Sequence, residues 1–349
     1  MTRHQQNKNG GFTLLELLIV IAIIALLAGI TVVGTQKALE STKASKVKMQ
    51  ISQLEMALDR YKDQIGEYPP DDFTNDEAVR RHIKRRWPRL QYREADLTGA
   101  NIADVNGDGQ VDVVDAFVSH AYDSTVTGAT PDKASYVAAL VFWLGGLPDS
   151  NHNPIGFYLQ PKDPLGLFAD TVNEGQREEP FFKFPEGTIV VSRGIPAFVP
   201  GKKDDKPIVY FRADGATDTW RQTAAEENRP KGVYAAYVPY TDAELNNASL
   251  IKYTLTKFYD FGGDLGVAAP YAAGETRVDA ASDRYEYAWQ EPERFQLVHP
   301  GADGKFSTGS DDYVPGETAR RTDTQVGITE GDADNLVNFT SGATLDSEW

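Results

Sequence analysis

The sequence predicts an α+β protein organised on one long amino-terminal helix, and three observations carry that prediction. Leu14 to Val33 is an apolar run of twenty residues in which Glu16 is the one charge and proline is absent. Beyond it, apolar residues recur at Val47, Ile51, Leu54, Leu58, Tyr61 and Ile65, the spacing of an amphipathic helix with one buried face. In the part of the chain beyond Pro70, segments rich in β-branched and aromatic residues, such as Thr188–Ser192 and Pro207–Phe211, are separated by turn residues and read as strands.

Twenty helical residues at about 1.5 Å each match the hydrocarbon thickness of a bilayer, so 14–33 reads as a membrane segment. Arg3, His4 and Lys8 ahead of it form a short basic leader of the kind that stays cytoplasmic. An ordinary secretory signal places its small-residue cleavage site after the apolar core. Here Gly10 and Gly11 come before it, so cleavage after Gly11 removes the leader and keeps the helix. A carboxylate such as Glu16 inside a membrane segment costs roughly 2.5–3.5 kcal/mol, which calls for a partner. From Thr35 the sequence turns polar without a break, and Gly66 followed by Pro69 and Pro70 ends the helix. A helix from Thr13 to about Ile65 is roughly 80 Å long. A coiled coil is the other use of so long a periodic helix, but the stripe is short for many heptads. The expected organisation is a leader (1–11), a long helix (12–67) and an α+β head (68–349).

Composition narrows the chemistry. The 349 residues carry a net charge of −16, which argues against nucleic acid as a partner. The chain has no cysteine, and its five histidines (His4, His82, His120, His152, His299) lack zinc-ligand spacing. No nucleotide loop, nucleophile elbow or zinc-protease motif occurs, and we expect no enzyme. An acidic head without disulfides suits calcium, a hard cation that takes carboxylate and carbonyl oxygens.

Along the head, Arg80, Arg81, Lys84, Arg85, Arg86 and Arg89 surround Ile83, Trp87 and Leu90. This cluster reads as a solvated helix face paired with carboxylates of the head, with anionic lipid or an acidic neighbour as the other use. The segment from Asp104 to Asp115 then fits a twelve-residue calcium loop. Asp104, Asn106, Asp108 and Asp112 supply oxygens at positions 1, 3, 5 and 9, Gly109 sits at 6, Gln110 offers its carbonyl at 7, and Asp115 closes the loop at 12. With aspartate at the last position and no second copy, it resembles a single dockerin-type repeat; an ion-free Asx-turn loop is the plainer alternative. Ala116-Phe117-Val118 is expected to begin the exiting helix. Ala134–Leu144 reads as a buried helix stopped by Gly145 and Gly146, too short to span a bilayer. Thr188–Ser192, Pro207–Phe211, Gly232–Val238 and Arg294–Val298 read as strands, and the aromatic residues from Tyr234 to Tyr287 as sheet core.

The stretch Gly10-Gly11-Phe12-Thr13-Leu14-Leu15-Glu16 resembles the class III signal of type IV pilins and type II secretion pseudopilins. That resemblance implies cleavage after Gly11 by a prepilin peptidase, N-methylation of Phe12, and pairing of Glu16 with the free amino group of Phe12 on a neighbouring subunit. Leu54, Ala57-Leu58-Asp59, Tyr61, Asp63, Gly66 and Tyr68-Pro69 resemble the end of the long helix in the major pseudopilin. Pro161-Lys162-Asp163-Pro164-Leu165-Gly166 resembles its Pro-Lys-Asp-Pro-Trp-Gly turn, with Leu165 in place of tryptophan. The segment from Arg294 to Asp312 resembles its last strand and calcium loop, which implies Asp303, Ser310, Asp311 and Asp312 as further calcium ligands. The family implies a type IV pilin fold, with the helix packed on an antiparallel sheet in an enlarged periplasmic head held by a single pass through the inner membrane. It implies a structural subunit of a type II secretion pseudopilus, assembled with itself and minor pseudopilins by an inner-membrane platform. A type IV minor pilin or surface adhesin with a ligand-binding head is the alternative.

Overall fold

The computed structural model describes residues 14–71, 73, 76–105, 109–121, 131–168, 172, 176–192, 194–201, 206–213, 272–279, 284–289, 291, 293–302, 304, 306 and 334–340. The chain divides into two compact units, Met1–Ser45 and Lys46–Trp349. The described part of the first is wholly helical, the beginning of α1 (Leu14–Ile65). The second holds the rest of α1, the helices α2 (Asp76–Arg86), α3 (Glu94–Gly99), α4 (Val113–Ala121) and α5 (Pro131–Gly145), and seven strands among the described residues.

Within the second unit the periodic stripe of α1 is the buried one. Val47, Ile51, Leu54, Leu58 and Tyr61 are sealed from solvent, whereas Met49 and Met56 face outward. Each large apolar side chain buried this way contributes about 1.5–3 kcal/mol. The helix stops where the sequence predicts: Gly66 takes φ +93°, and its N–H donates to the Lys62 carbonyl at 2.7 Å. Side chains of the head fasten this half of the helix. Lys48 Nζ donates to the Val337 and Thr340 carbonyls at 2.9 and 3.0 Å, and Arg294 reaches Glu55 and Asp59 at 2.9 and 2.8 Å.

α4 begins at Val113, three residues before the expected Ala116. Asp112 is the reason. Its Oδ1 accepts the Val114 N–H at 2.7 Å and its carbonyl accepts the Ala116 N–H at 3.2 Å, while Asp115 Oδ2 accepts the Asp112 N–H at 2.8 Å. That is a capping box built from two aspartates. α5 contains the expected Ala134–Leu144 and starts earlier, at Pro131, a residue suited to a first helical turn.

The sheets are antiparallel, as expected, but among the described residues they are three rather than one. β1 (Ile189–Ser192) pairs with β2 (Ile195–Phe198), β4 (Ala272–Asp279) with β5 (Arg284–Trp289), and β6 (Phe295–His299) lies between β3 (Val209–Arg212) and β7 (Leu336–Val337). β2 and β3 are joined by the Ile208 N–H to the Phe198 carbonyl at 3.0 Å, and Pro196 removes one ladder donor from β2. The expected strand at Gly232–Val238 lies outside the described residues. α5 packs on β2 and β3, and its Phe142 and Trp143 meet Phe73, Phe117 and Phe157 in an aromatic core.

The Pro161–Gly166 turn is a structural staple. Asp163 is fully buried, and its carboxylate accepts the Leu167 and Phe168 N–H groups at 2.8 and 2.9 Å and the Tyr92 hydroxyl at 2.6 Å.

Where α1 ends, it is locked to α2 by a buried polar chain with a direction. Arg86 Nη1 donates to the Tyr61 hydroxyl (3.0 Å), that hydroxyl to His82 Nε2 (2.6 Å), and His82 Nδ1–H to Glu67 Oε1 (2.8 Å). The direction requires a neutral imidazole carrying its proton on Nδ1. Burial is the main force that lowers the His82 pKa to about 4, outweighing the attraction of Glu67, and burial likewise raises Tyr61 to about 12. Burial would raise Glu67, but its bond from His82 and the charges of His82, Arg212 and Arg85 hold it down to about 2.

A histidine that resists protonation in the fold lets the unfolded chain take up the proton first. The His82 contribution to stability is therefore complete above pH 6.5 and is lost as pH falls from 6.5 toward 4, mostly above the window from 4.5 to about 2 in which that of Glu67 is lost. We expect wild-type protein to lose on the order of 1–3 kcal/mol across that window. The non-titrating His82→Gln variant, less stable at pH 7, should lose much less. Melting curves of the two proteins that stay parallel with pH would contradict the assignment.

Candidate functional site

Three places carry the functional expectations: the start of α1, the acidic loop ahead of α4, and the turn after β6. At the first, Gly11 and Phe12 lie outside the described residues, while Glu16 is exposed in the first turn of α1. An anion there complements the positive end of the helix dipole. From Leu14 to Leu27 the large apolar side chains are open on every face, none of them less than 46% exposed. A helix that is apolar all round is stable only when something else covers it. Among the described residues no helix is long and apolar enough to cross a membrane. The apolar run continues in the sequence to Val33, and the side chains of 28–33 lie outside the described ones.

In the acidic loop the structure describes Asp104, Gln110, Asp112 and Asp115, with Asn106 and Asp108 outside. Gly109 adopts φ +86°, the left-handed turn that the sixth position of a calcium loop demands, and donates its N–H to Asp104 Oδ2 at 2.9 Å. Asp115 is fully buried and ties the loop's ends together, accepting the Val105 N–H (2.9 Å) on one oxygen and the Asp112 N–H (2.8 Å) on the other. Asp112 also forms an ion pair with Arg80 of α2. Asp104, Asp112 and Asp115 thus lie on one loop, each accepting at least one backbone N–H, with the Arg80 guanidinium beside Asp112. Among the described residues no group of three acidic, histidine or cysteine side chains is already gathered around one point.

After β6, Asp303, Ser310, Asp311 and Asp312 all lie outside the described residues. The neighbouring acidic segment packs against this turn: Asp334 accepts the Ala302 N–H at 2.5 Å, and the buried Asn335 donates to the Phe306 carbonyl at 3.1 Å.

The basic cluster is divided by its helix. Arg80, Arg85 and Arg86 pair with Asp112, Glu67 and Glu178 of the same head, as the sequence suggests, and Arg81, Lys84 and Arg89 are exposed. Arg86 is the deepest of them, only 3% exposed, its guanidinium 4.4 Å from the Trp87 ring centre and 4.7 Å from that of Phe157. The sequence places Arg86 on a solvated helix face and gives His82 no role, whereas both are buried, and a signal for that is present. Val79, His82, Ile83 and Arg86 fall at i, i+3, i+4 and i+7, the inward stripe of α2.

Residues 6–32 match the family described as the Prokaryotic N-terminal methylation motif. The chain is similar to the type II secretion system core protein G of Aeromonas hydrophila, 34% identical over 90 residues, which is 26% of this chain and 62% of that protein. No solved structure matches the chain. The methylation motif and this relative agree, and together they support a pseudopilin or type IV pilin-like family for the chain.

Proposed function

We propose that the chain is a structural subunit of a type II secretion pseudopilus, made as an inner-membrane precursor with its head in the periplasm. The observation that carries this reading is an apolar helix open on all faces within the stretch that matches the methylation motif. On this reading a prepilin peptidase cuts after Gly11, Phe12 becomes the methylated amino terminus, and 14–33 spans the membrane until assembly. The driving force of assembly is then exchange of lipid for neighbouring helices, in which packing and polar pairing act without a hydrophobic gain. Glu16, buried among those helices, pairs with the Phe12 amine of the next subunit, an interaction that sets register because a misaligned subunit leaves the carboxylate unpaired. The subunit has no catalytic residues. Its partners are other copies, minor pseudopilins and the inner-membrane platform, and the filament drives protein export.

Calcium would stiffen the head. Asp104, Asn106, Asp108, Asp112 and Asp115 would hold it with the Gln110 carbonyl, and Asp303, Ser310, Asp311 and Asp312 would form a second site. Its chemistry there is neutralisation of clustered carboxylates and fixation of loop geometry.

In the Gly11→Ala variant, processing is expected to stop, leaving full-length precursor in the inner membrane. Mature-sized protein at wild-type abundance on an immunoblot of membranes would exclude the assigned cleavage site. A surface pilin or adhesin makes a different prediction, since shearing of intact cells would release it as a fibre, whereas a short periplasmic pseudopilus stays behind.

Calcium is expected to raise the melting temperature of the full-length protein in detergent, and Asp104→Ala with Asp108→Ala to remove most of that rise. An undiminished calcium shift in the double variant would discard the loop as the principal site.

A further inference from the structure

The head holds a cavity that neither the filament reading nor the calcium loops use. It has a volume of about 430 Å³ and opens between α4, the end of α5, the loop that follows it and the β1–β2 hairpin. Apolar surface from Val141, Phe142, Leu147 and Pro154 dominates its walls, and five polar side chains interrupt it: Ser119, His120, His152, Tyr158 and Arg177. An apolar chamber of this size with a few convergent polar groups has the form of a small-molecule site.

Two of those groups have capacity to spare. Arg177 donates one N–H to the Gly156 carbonyl at 2.9 Å and lays its guanidinium 3.7 Å from the centre of the Tyr158 ring. Stacking fixes the plane of the fork and leaves its other N–H groups available, and among the described residues no carboxylate pairs with it. In a chain of net charge −16, a positioned arginine without an acidic partner in an apolar wall selects for an anion. His120 has a defined tautomer. Its Nδ1 lies 2.7 Å from the Ala116 carbonyl, which can only accept, so Nδ1 carries the hydrogen and Nε2 presents a lone pair. Burial lowers the imidazole's pKa, which keeps that nitrogen an acceptor.

We propose that this cavity binds a small organic carboxylate whose apolar body carries one N–H or O–H donor, the acid held by Arg177 and the donor by His120 Nε2. The stacked guanidinium reads the planar carboxylate, the imidazole reads the donor, and Phe142 with the surrounding aliphatic wall takes the body.

N-acetyl-L-phenylalanine has all three features and serves as the probe, titrated into the full-length protein in dodecyl maltoside and followed by calorimetry. Saturable binding with one site per chain is expected, with the methyl ester, which lacks the charge, at least tenfold weaker. Arg177→Gln should weaken the acid to the level of the ester, and Val191→Trp, at the cavity wall, should abolish binding of both. Absence of saturable binding at millimolar probe overturns the proposal, as does equal affinity of the wild-type protein for acid and ester. The acid–ester comparison is made on unaltered protein, so it stands even where a substitution unfolds the head.

Discussion

The end of the long helix is held to the head by a buried, directional hydrogen-bond chain, beside the apolar stripe and the Lys48 and Arg294 contacts that fasten the rest. Arg86, Tyr61, His82 and Glu67 come from α1, α2 and the turn between them, and each accepts or donates in the sense its neighbour requires. The chain ends in charge at both sides. Arg86 reaches Glu178, and Glu67 is shared with Arg212 of β3. Trp143 closes over the imidazole at 4.9 Å, so helix α5 acts as the lid that excludes water. Losing one member of such a set strands a charge or a donor in the core, which costs about 3–5 kcal/mol, more than several surface ion pairs supply together. The end of α1 is thereby rigid for a chemical reason as well as a packing one.

The same helix obeys two burial regimes. From Val47 to Tyr61 one face is buried and the other is wet, the ordinary condition of a helix on a globular head. From Leu14 to Leu27 every face is apolar and every face is open. A chain that spends so many large side chains on uncovered surface is stable only where lipid or other helices replace water. The fold therefore contains, in one uninterrupted element, a part that is complete by itself and a part that requires company. Filament growth, on the proposed reading, is the process that supplies it.

Much of this was legible in the sequence because periodicity reports burial directly. The four-three spacing from Val47 to Tyr61 named the buried face, Gly66 named the helix end, and β1, β3 and β6 coincide with the expected segments rich in Val, Ile and Phe to within two residues at each end. What escaped has identifiable causes. β2 carries Pro196, which reads as a strand breaker and is tolerated because the strand has a single partner. α4 starts early because Asp112 and Asp115 cap it, and Asp-x-x-Asp ahead of an apolar run supports an ion-ligand reading and a cap reading equally. The division of the strands into separate small sheets depends on which segments meet across long insertions, and no local pattern encodes that. The cavity walls are drawn from α4, α5 with the loop after it, and the β1–β2 hairpin, and an individual histidine or arginine gives no hint of its companions.

The double role of those two aspartates bears on what calcium does in the proposed mechanism. Asp112 and Asp115 already cap α4, and Asp115 already closes the loop through backbone N–H groups, so the exiting helix needs no ion to start. Arg80 neutralises part of the charge on the same side. An ion entering here must draw Asp112 from a guanidinium that holds it in a partly exposed pair, an exchange that costs little because such pairs contribute only about 0–1 kcal/mol. Binding would then fix the stretch between Asp104 and Gly109 against a helix that is already formed. The expected consequence is local: the ion stiffens one loop on a head whose hold on the long helix rests on neutral His82 and its partners. Calcium would then add stability through this loop and bear on filament assembly through the surface that the loop presents, not through the His82 chain.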